Sequence, residues 1–206
     1  MSKYASFVNI AENVFKDIYP QIAQNIFELF KKQSGTVVEI GCGSAILSRN
    51  LYNFGNFQIF AVDLEFDMAF SAKQFIEKEN KKTILPIVSN VEALPFSSNF
   101  ADLIISRGSM FFWENKVKGF REIYRVLKKG GITYIGGGFG NKDLKEKIFK
   151  IMSEKNPNWH NQVKERLKQT NPEVIKNIMN NSNIKTYSII NDESGFWIII
   201  TKEQKL

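Results

Sequence analysis

The sequence predicts an α/β fold with a doubly wound, mostly parallel sheet and a closing antiparallel hairpin. From residue 36 to about residue 136, short β-branched apolar runs alternate with segments of helical periodicity, a pattern typical of βαβ units. Two β-rich runs at 185–190 and 196–201 are joined by a polar turn that contains Gly195. These two runs predict the hairpin.

The individual elements follow from the spacing of apolar side chains. The pattern predicts a helix over 7–18 and a second helix opened by Pro20. It then predicts strands at 36–40, 57–62, 83–88, 101–106 and 132–136, with helices at 44–53, 66–79 and 115–128. The Lys- and Asn-rich stretch 141–183 predicts two or three helices broken by Pro157 and Pro172.

A chain of 206 residues has room for one α/β domain but not for two. We therefore expect a single domain of four consecutive segments. They are N-terminal helices (1–34), a ligand-binding core (35–140), a helical insert (141–183) and the closing hairpin (184–206).

A glycine turn follows the first predicted strand. Gly41 and Gly43 allow a sharp bend and a close approach to a ligand, where a β-carbon would collide. Ser44 is placed to cap the next helix, and Asp63 ends the next apolar run. A carboxylate at that position suits the hydroxyl groups of a ribose. The pattern therefore predicts a nucleoside ligand.

Two phosphate-binding patterns are absent from the sequence. A dinucleotide fingerprint that starts at Gly41 needs Gly or Ala at its sixth place, which is Ile46 here. No segment ends in the Gly-Lys-Ser/Thr of a nucleotide phosphate loop. A nicotinamide-dependent oxidoreductase would share the ribose carboxylate but conflicts with Ile46. We expect a ribose site without a phosphate site.

Four short segments follow one another in the ligand-binding core. The first is Glu-Ile-Gly-Cys-Gly-Ser-Ala at 39–45, and the second is Asn-Val-Glu-Ala-Leu-Pro-Phe at 90–96. The third is Phe-Ala-Asp-Leu-Ile-Ile-Ser at 100–106, and the fourth is Arg-Val-Leu-Lys-Lys-Gly-Gly at 125–131. In this order they resemble motifs of the class I S-adenosylmethionine-dependent methyltransferases. The last resembles the small-molecule branch, which includes quinone-biosynthesis enzymes.

The resemblance implies a Rossmann-like, seven-stranded sheet and S-adenosyl-L-methionine as cofactor, with S-adenosyl-L-homocysteine as product. It implies methyl transfer to a small-molecule acceptor. The cofactor-binding residues that it implies are Glu39, Gly41, Cys42, Gly43, Asp63, Leu64, Met68, Asn90, Val91, Glu92, Ser106 and Arg107.

Three positions depart from the family pattern. Lys129 replaces the usual proline of the turn in the fourth motif, which only loosens that turn. Ala45 replaces a third glycine, which a small residue satisfies if its backbone angles are ordinary. Asn90 replaces a frequent Asp, so its hydrogen bond to an adenine amino group would be neutral rather than charge-assisted.

No catalytic residue is fixed by the sequence, because displacement at a sulfonium depends mainly on alignment and desolvation. Arg107 is a candidate to pair with a carboxylate or phosphate of the acceptor, and Glu114 and the sole histidine, His160, are candidate bases. Phe111, Phe112 and Trp113 (111–113) either wall an acceptor pocket or belong to the core. The insert 141–183 is the expected substrate cap.

Several smaller features have two interpretations. Tyr19 either touches the cofactor or packs in the core. The glycine-rich run 136–140 is either a hinge for the insert or a tight turn. Cys42, the only cysteine, is interpreted as a small residue that fills the loop rather than as a nucleophile. With one cysteine and one histidine, the sequence predicts neither an intrachain disulfide nor a metal site.

The net charge of +7 comes from 28 Lys and Arg against 21 Asp and Glu. The basic residues are mostly lysines spread along the chain, which favours a solvated surface over nucleic-acid binding. A methyltransferase acting on RNA or protein and a catalytically silent cofactor-binding module remain alternatives. No apolar run approaches the roughly 20 residues of a membrane span, and 1–13 lacks a signal-peptide pattern. We expect a cytoplasmic enzyme.

Overall fold

The N-terminal region contains two helices joined by a π-helical turn. In the computed structural model, which describes residues 3–203, α1 (Lys3–Asn9) runs into the turn Ile10–Val14, and α2 spans Ile18–Phe30. The bounds predicted for one helix over 7–18 are therefore wrong. Pro20 lies in the first turn of α2, where its missing N–H breaks no helical hydrogen bond. The outermost residues of segments 1–34 and 184–206 lie outside the described residues.

Seven strands and six further helices follow in an order close to the predicted one. The strands are β1 (Ser34–Ile40), β2 (Asn56–Asp63), β3 (Ile84–Val88), β4 (Ala101–Arg107), β5 (Leu127–Gly138), β6 (Tyr187–Asp192) and β7 (Gly195–Ile200). The helices are α3 (Ile46–Leu51), α4 (Phe66–Lys78), α5 (Lys116–Val126), α6 (Lys142–Lys155), α7 (Trp159–Lys168) and α8 (Pro172–Asn181). Short 3₁₀ turns, Tyr52–Phe54 and Met110–Phe112, follow α3 and β4.

Within residues 3–203 the strands form one sheet in the order β3-β2-β1-β4-β5-β7-β6. Strands β1 to β5 pair in parallel, and β7 pairs antiparallel with both β5 and β6. The predicted doubly wound, mostly parallel, seven-stranded sheet with a closing hairpin is confirmed. The strand order reverses between β1 and β4, and the crevice at such a reversal is where ligands bind in this kind of sheet.

Helices cover both faces of the sheet. One apolar cluster includes Ile22 of α2, Leu47 of α3 and Ile148 of α6. The other includes Phe120 of α5 and Ile175 of α8. These side chains are almost completely buried. Because the sheet is covered on both faces, a ligand has access to it at the ends of the strands.

The insert 141–183 consists of helices α6, α7 and α8. Pro172 opens α8 as its first residue, and the side chain of Asn171 accepts a hydrogen bond from the Glu173 amide at 2.9 Å. Among residues 3–203, no helix has the length and apolar character needed to cross a membrane. The division of one domain into four segments stays a prediction.

The fifth strand is longer at both ends than the predicted strand 132–136. Leu127, expected in the preceding helix, is fully buried and pairs with Ala101 of β4, so α5 ends at Val126. At the other end, Gly136 lies against β7. A β-carbon on Gly136 would stand 1.9 Å from the carbonyl oxygen of Phe196. Gly136 and Gly138 therefore allow two backbones to approach closely. Since residues 136–138 belong to β5, both the hinge and the tight turn are wrong for them.

Candidate functional site

The glycine turn after β1 is built by two residues with positive φ, Gly41 at 66° and Gly43 at 56°. A β-carbon on Gly41 would stand 2.2 Å from Cβ of Ser109, so this glycine is required by packing. A β-carbon on Gly43 would meet no atom within 4 Å. Gly43 therefore leaves room for a ligand to lie against the backbone.

Ser109 supports this turn from below, a role that the sequence did not indicate. Its Oγ donates to the carbonyl oxygen of Ile40 at 3.0 Å and accepts from Nε1 of Trp113 at 3.1 Å. The Oγ of Ser106 lies 2.6 Å away. Because the one hydroxyl hydrogen of Ser109 is already donated, Ser106 is the donor in this pair. Ser106 is fully buried beneath Ser109 and does not line the cleft described below.

Asp63, the last residue of β2, is bound to the glycine turn. Its Oδ2 accepts the amide N–H of Gly43 at 2.8 Å, and its Oδ1 accepts the amide N–H of Glu65 at 3.1 Å. A carboxylate oxygen accepts more than one hydrogen bond, so acceptor capacity remains. Burial raises the pKa of the Asp63 carboxyl, against the opposite effect of the Gly43 and Glu65 amides.

Glu39 lies one residue before the end of β1 and is 3% exposed. Its carboxylate accepts from the amide of Ser48 at 3.2 Å and from the Ser48 hydroxyl. Burial raises the pKa of the Glu39 carboxyl to about 7, although the two Ser48 hydrogen bonds oppose this shift. The resemblance had placed Glu39 at the cofactor, and Glu39 is among the residues that line the cleft described below.

The start of α3 differs from the prediction. Ser44 does not cap this helix. Its hydroxyl donates instead to Glu12 of the N-terminal π-helical turn, at 2.5 Å, and Glu12 also pairs with the buried Arg49 of α3. The residue at the N-cap is Ala45, with φ of 58° and no side-chain hydrogen bond. The backbone angles of Ala45 are therefore left-handed rather than ordinary, which glycine tolerates better.

The loop after β3 brings Asn90, Val91 and Glu92 to the same edge of the sheet. The Oδ1 of Asn90 accepts the amide N–H of Glu92 at 2.8 Å. Glu92 accepts the amide N–H of Asn115 at 2.8 Å through Oε1, which ties this loop to the start of α5. Both polar side chains thus have structural partners besides any ligand.

These loops surround a cleft of about 550 Å³ at the carboxyl ends of the parallel strands. All the predicted cofactor residues except Ser106 line this cleft. The N-terminal helix and π-helical turn also line the cleft, through Tyr4, Phe7, Val8, Ile10 and Ala11. Tyr19, the aromatic expected in this region, also lines the cleft.

Arg107, at the end of β4, lies among aromatic rings at one end of the cleft. Its guanidinium carbon is 4.9 Å from the ring centre of Phe15, 5.4 Å from that of Tyr19 and 5.9 Å from that of Phe139. Its Nε and Nη2 both donate to the carbonyl oxygen of Gly138, at 3.3 and 3.2 Å. Nη1 donates to the hydroxyl oxygen of Tyr19 at 3.3 Å.

The other catalytic candidates and the three adjacent aromatics have different positions. Glu114 is exposed and lines the cleft, as do Phe112 and the buried Trp113. Phe111 packs against the apolar cluster on the α5 side of the sheet. His160 is exposed on α7, 3.3 Å from the hydroxyl of Ser153, and lies outside the cleft. The aromatic run therefore serves partly as pocket wall and partly as core.

Cys42 is buried in the turn, and burial raises the pKa of its thiol well above the usual range. A thiol that stays protonated is a poor nucleophile, which agrees with the interpretation of Cys42 as a small residue filling the loop. Among residues 3–203, no group of three or more His, Cys, Asp or Glu side chains is placed to hold a metal ion.

Comparison with known proteins adds the family. The family model described as "Methyltransferase domain" matches residues 38–135. The whole chain also superposes on a Methanococcus maripaludis protein described as S-adenosyl-L-methionine-dependent methyltransferase, with a TM-score of 0.94 and 41% identity, covering 98% of this chain and 93% of that one. The chain belongs to the S-adenosylmethionine-dependent methyltransferases. The resemblance drawn from the four motifs is confirmed.

Two plant relatives of this methyltransferase chain match over shorter stretches. One is an uncharacterized chloroplastic methyltransferase of Arabidopsis thaliana, 30% identical over 118 residues, which are 54% of this chain and 33% of the relative. The other is the Arabidopsis thaliana chloroplastic 2-methyl-6-phytyl-1,4-hydroquinone methyltransferase, 42% identical over 55 residues, which are 27% of this chain and 16% of the relative. The chain thus spans a third or less of these curated relatives.

The residues of this methyltransferase cleft fit the cofactor of the family. S-adenosylmethionine carries a ribose diol and no phosphate. Asp63 offers a half-buried carboxylate with spare acceptor capacity, and the open space at Gly43 admits a ligand against the backbone. Within the described residues that line the cleft, no Lys is present and the only cations are Arg107 and Arg166. Both arginines lie away from the glycine turn in sequence.

Proposed function

We propose that the chain transfers a methyl group from S-adenosyl-L-methionine to a small-molecule acceptor. The observation that carries this proposal is the hydrogen bond from the Gly43 amide to Asp63, at the carboxyl ends of β1 and β2. This hydrogen bond supports the proposal because it sets a carboxylate, which suits the hydroxyls of a ribose, beside a glycine with open space in front of its backbone.

In this proposal the cofactor residues divide into three groups. Asp63 holds the ribose hydroxyls, with Leu64 and Met68 beside it. The loop 90–92 flanks the adenine, and Asn90 retains an amide N–H₂ and part of its oxygen for a neutral hydrogen bond. The amino-acid part lies against the turn of Gly41, Cys42 and Gly43, beside Glu39 of β1. Support comes from their common position along one cleft.

Bound S-adenosylmethionine would supply an electrophilic methyl group that needs no further activation. The contribution of the protein is then to align the acceptor and to keep water out. The aromatic side chains of Phe15, Tyr19 and Trp113 line the cleft and suit that purpose. Glu114 is the candidate base on the cleft, and the exposed position of His160 outside it makes His160 the weaker candidate.

A small-molecule acceptor agrees with the character of the cleft. Its volume of about 550 Å³ lies within the usual range for small-ligand sites. The residues that line it include six aromatics, Tyr4, Phe7, Phe15, Tyr19, Phe112 and Trp113. The hydroquinone methyltransferase relative acts, by its name, on a ring compound with an apolar tail. The insert 141–183 reaches the cleft through Arg166 of α7, which supports its role as a substrate cap.

The alternative acceptor is RNA or protein, which the net charge of +7 favours. Retention of a structured RNA at low salt, lost as salt is raised, would support this alternative. The scattering of the lysines favours the small molecule. The cytoplasmic location predicted from the sequence stays a prediction.

Two measurements test the proposal. Titration calorimetry should show one saturable site for S-adenosylhomocysteine and none for NAD. Incubation with methyl-labelled S-adenosylmethionine and a fractionated cell extract should then label the small-molecule fraction. Binding of NAD without S-adenosylhomocysteine would overturn the cofactor assignment. Binding of S-adenosylhomocysteine without transfer to any fraction would favour the silent cofactor-binding module.

A further inference from the structure

A second arginine, Arg166, lines the cleft close to Arg107. Arg166 belongs to α7 of the insert and Arg107 ends β4, so the two come from distant parts of the chain. Burial lowers the pKa of the Arg166 guanidinium, and the positive charge of Arg107 lowers it further. Holding two positive charges close together where both are partly shielded from water costs free energy unless an anion binds to them.

Within the described part of the chain, no carboxylate forms an ion pair with this arginine pair. Among the described residues, ion pairs within 4.0 Å involve Arg49 and Arg125 but neither Arg107 nor Arg166. Glu114 lines the same cleft without forming an ion pair with either arginine. The charge of this arginine pair is therefore available to a ligand.

The hydrogen-bond donors of the pair are also available. Arg107 has five N–H groups, and three of them donate to Gly138 and Tyr19. One N–H on each terminal nitrogen of Arg107 remains, and the oxygens of a carboxylate or phosphate can accept hydrogen bonds from these donors. Among the described residues, the guanidinium of Arg166 has no hydrogen-bond acceptor, and its central carbon lies 5.5 Å from the ring centre of Phe112.

The surroundings of the pair suit an acceptor with an apolar body. Phe15 and Tyr19 surround Arg107, and Phe112, which is 66% exposed, lies beneath Arg166. Trp113 also lines the cleft, and its indole Nε1 donates to Oγ of Ser109. An anionic group on the arginines would direct the rest of the acceptor along these rings.

We propose that Arg107 and Arg166 together form an anion subsite, so that the acceptor carries a carboxylate or a phosphate on an apolar, ring-sized body. This inference rests on the proposed function, because it takes the remaining part of the cleft as the cofactor site. It adds a substrate class and a specificity-determining residue, Arg166, which no sequence motif marked.

The test is a set of ligand titrations with the full chain saturated with S-adenosylhomocysteine, followed by NMR. The probes are phenylacetate, its neutral isostere phenylacetamide, and phenyl phosphate. We expect phenylacetate or phenyl phosphate to bind at least about fivefold more tightly than phenylacetamide. Whichever anion binds more tightly identifies the group that the acceptor carries.

Two variants on α7 locate the effect. Arg166→Gln should reduce the preference for the anion to less than about twofold, while the affinity for S-adenosylhomocysteine stays within about twofold of the wild type. Lys164→Gln removes the same charge from an exposed position of the same helix that does not line the cleft. This control should keep the full preference.

The outcomes separate the two proposals. If the chain does not bind S-adenosylhomocysteine, the proposed function fails and the acceptor subsite fails with it. If S-adenosylhomocysteine binds but the anions bind no better than phenylacetamide, the anion subsite alone is overturned. An anion preference that is equal in the wild type and Arg166→Gln would also overturn it.

Discussion

Gly43 donates its amide N–H to Oδ2 of Asp63 at 2.8 Å, which binds the turn after β1 to the end of the neighbouring β2. This hydrogen bond joins the two features that first suggested a nucleoside ligand. It fixes the orientation of the carboxylate and uses only part of its acceptor capacity. Since the turn and the carboxylate hold each other in place, the site is arranged before any ligand binds.

Replacing Asp63 with Asn should weaken the binding of S-adenosylhomocysteine. The amide keeps one acceptor but loses the charge, and a hydrogen bond to a charged group contributes about 1.5–3 kcal/mol. We expect a dissociation constant raised by roughly tenfold to a hundredfold in calorimetry. Asp67→Asn, an exposed site in the first turn of α4, is the control and should leave affinity unchanged. Equal affinities of the two variants would remove Asp63 from the ribose site.

Ala45→Gly should stabilise the fold. Ala45 has a φ of 58°, and a left-handed conformation costs a residue with a β-carbon about 1–2 kcal/mol. Glycine also gives the unfolded chain more conformational entropy than alanine does, which offsets about 0.4–1 kcal/mol of the stabilisation. Urea denaturation should therefore show a free energy of unfolding raised by about 0.5–1 kcal/mol. In contrast, Ala72→Gly, inside helix α4, should lower it by about 1 kcal/mol.

Gly136→Ala should destabilise the protein more than Gly43→Ala does. At position 136 the new β-carbon would stand 1.9 Å from the Phe196 carbonyl oxygen, a backbone atom that cannot move without shifting β7. At position 43 nothing lies within 4 Å, so only the positive φ opposes the change, at about 1–2 kcal/mol. We expect the loss for Gly136→Ala to exceed about 3 kcal/mol. A loss no greater than that of Gly43→Ala would contradict the close approach of β5 and β7.

The sequence was sufficient to predict the elements whose signals are local. The short apolar runs predicted the strands. Gly41 and Gly43 follow the end of β1, and Asp63 is the last residue of β2, as predicted. The boundary between α5 and β5 was missed because an apolar residue such as Leu127 fits the buried side of a helix and of a strand equally well. Its burial and its pairing with Ala101 decide in favour of the strand.

Features that depend on distant contacts could not be predicted in this way. Ser109 fits under Gly41, and Glu12 reaches Ser44, only once separate segments have packed. Arg166 lies on an insert helix whose orientation no periodicity specifies. The positive φ of Ala45 was missed for another reason: alanine carries no local signal for a left-handed backbone.

Glu39 should make the stability of the fold depend on pH. Burial raises the pKa of its carboxyl from 4.5 to about 7. Between these two values the folded protein keeps a proton on Glu39 that the unfolded chain has released. Rising pH therefore favours the unfolded state across this window, by up to the order of 3 kcal/mol in total. The contribution of Glu39 to stability is most favourable below pH 4.5 and is reduced by pH 7.

The variant Glu39→Gln separates this effect from all other titrating groups, because glutamine has no proton to release. Urea denaturation of both proteins at several pH values from 5 to 8 should show the variant gaining stability relative to the wild type as pH rises, by roughly 2–3 kcal/mol. Glu77→Gln, at an exposed site of α4, should show a nearly constant difference from the wild type. A constant difference for Glu39→Gln as well would mean that its carboxyl is already ionised at pH 5, because the hydrogen bonds from Ser48 then outweigh its burial.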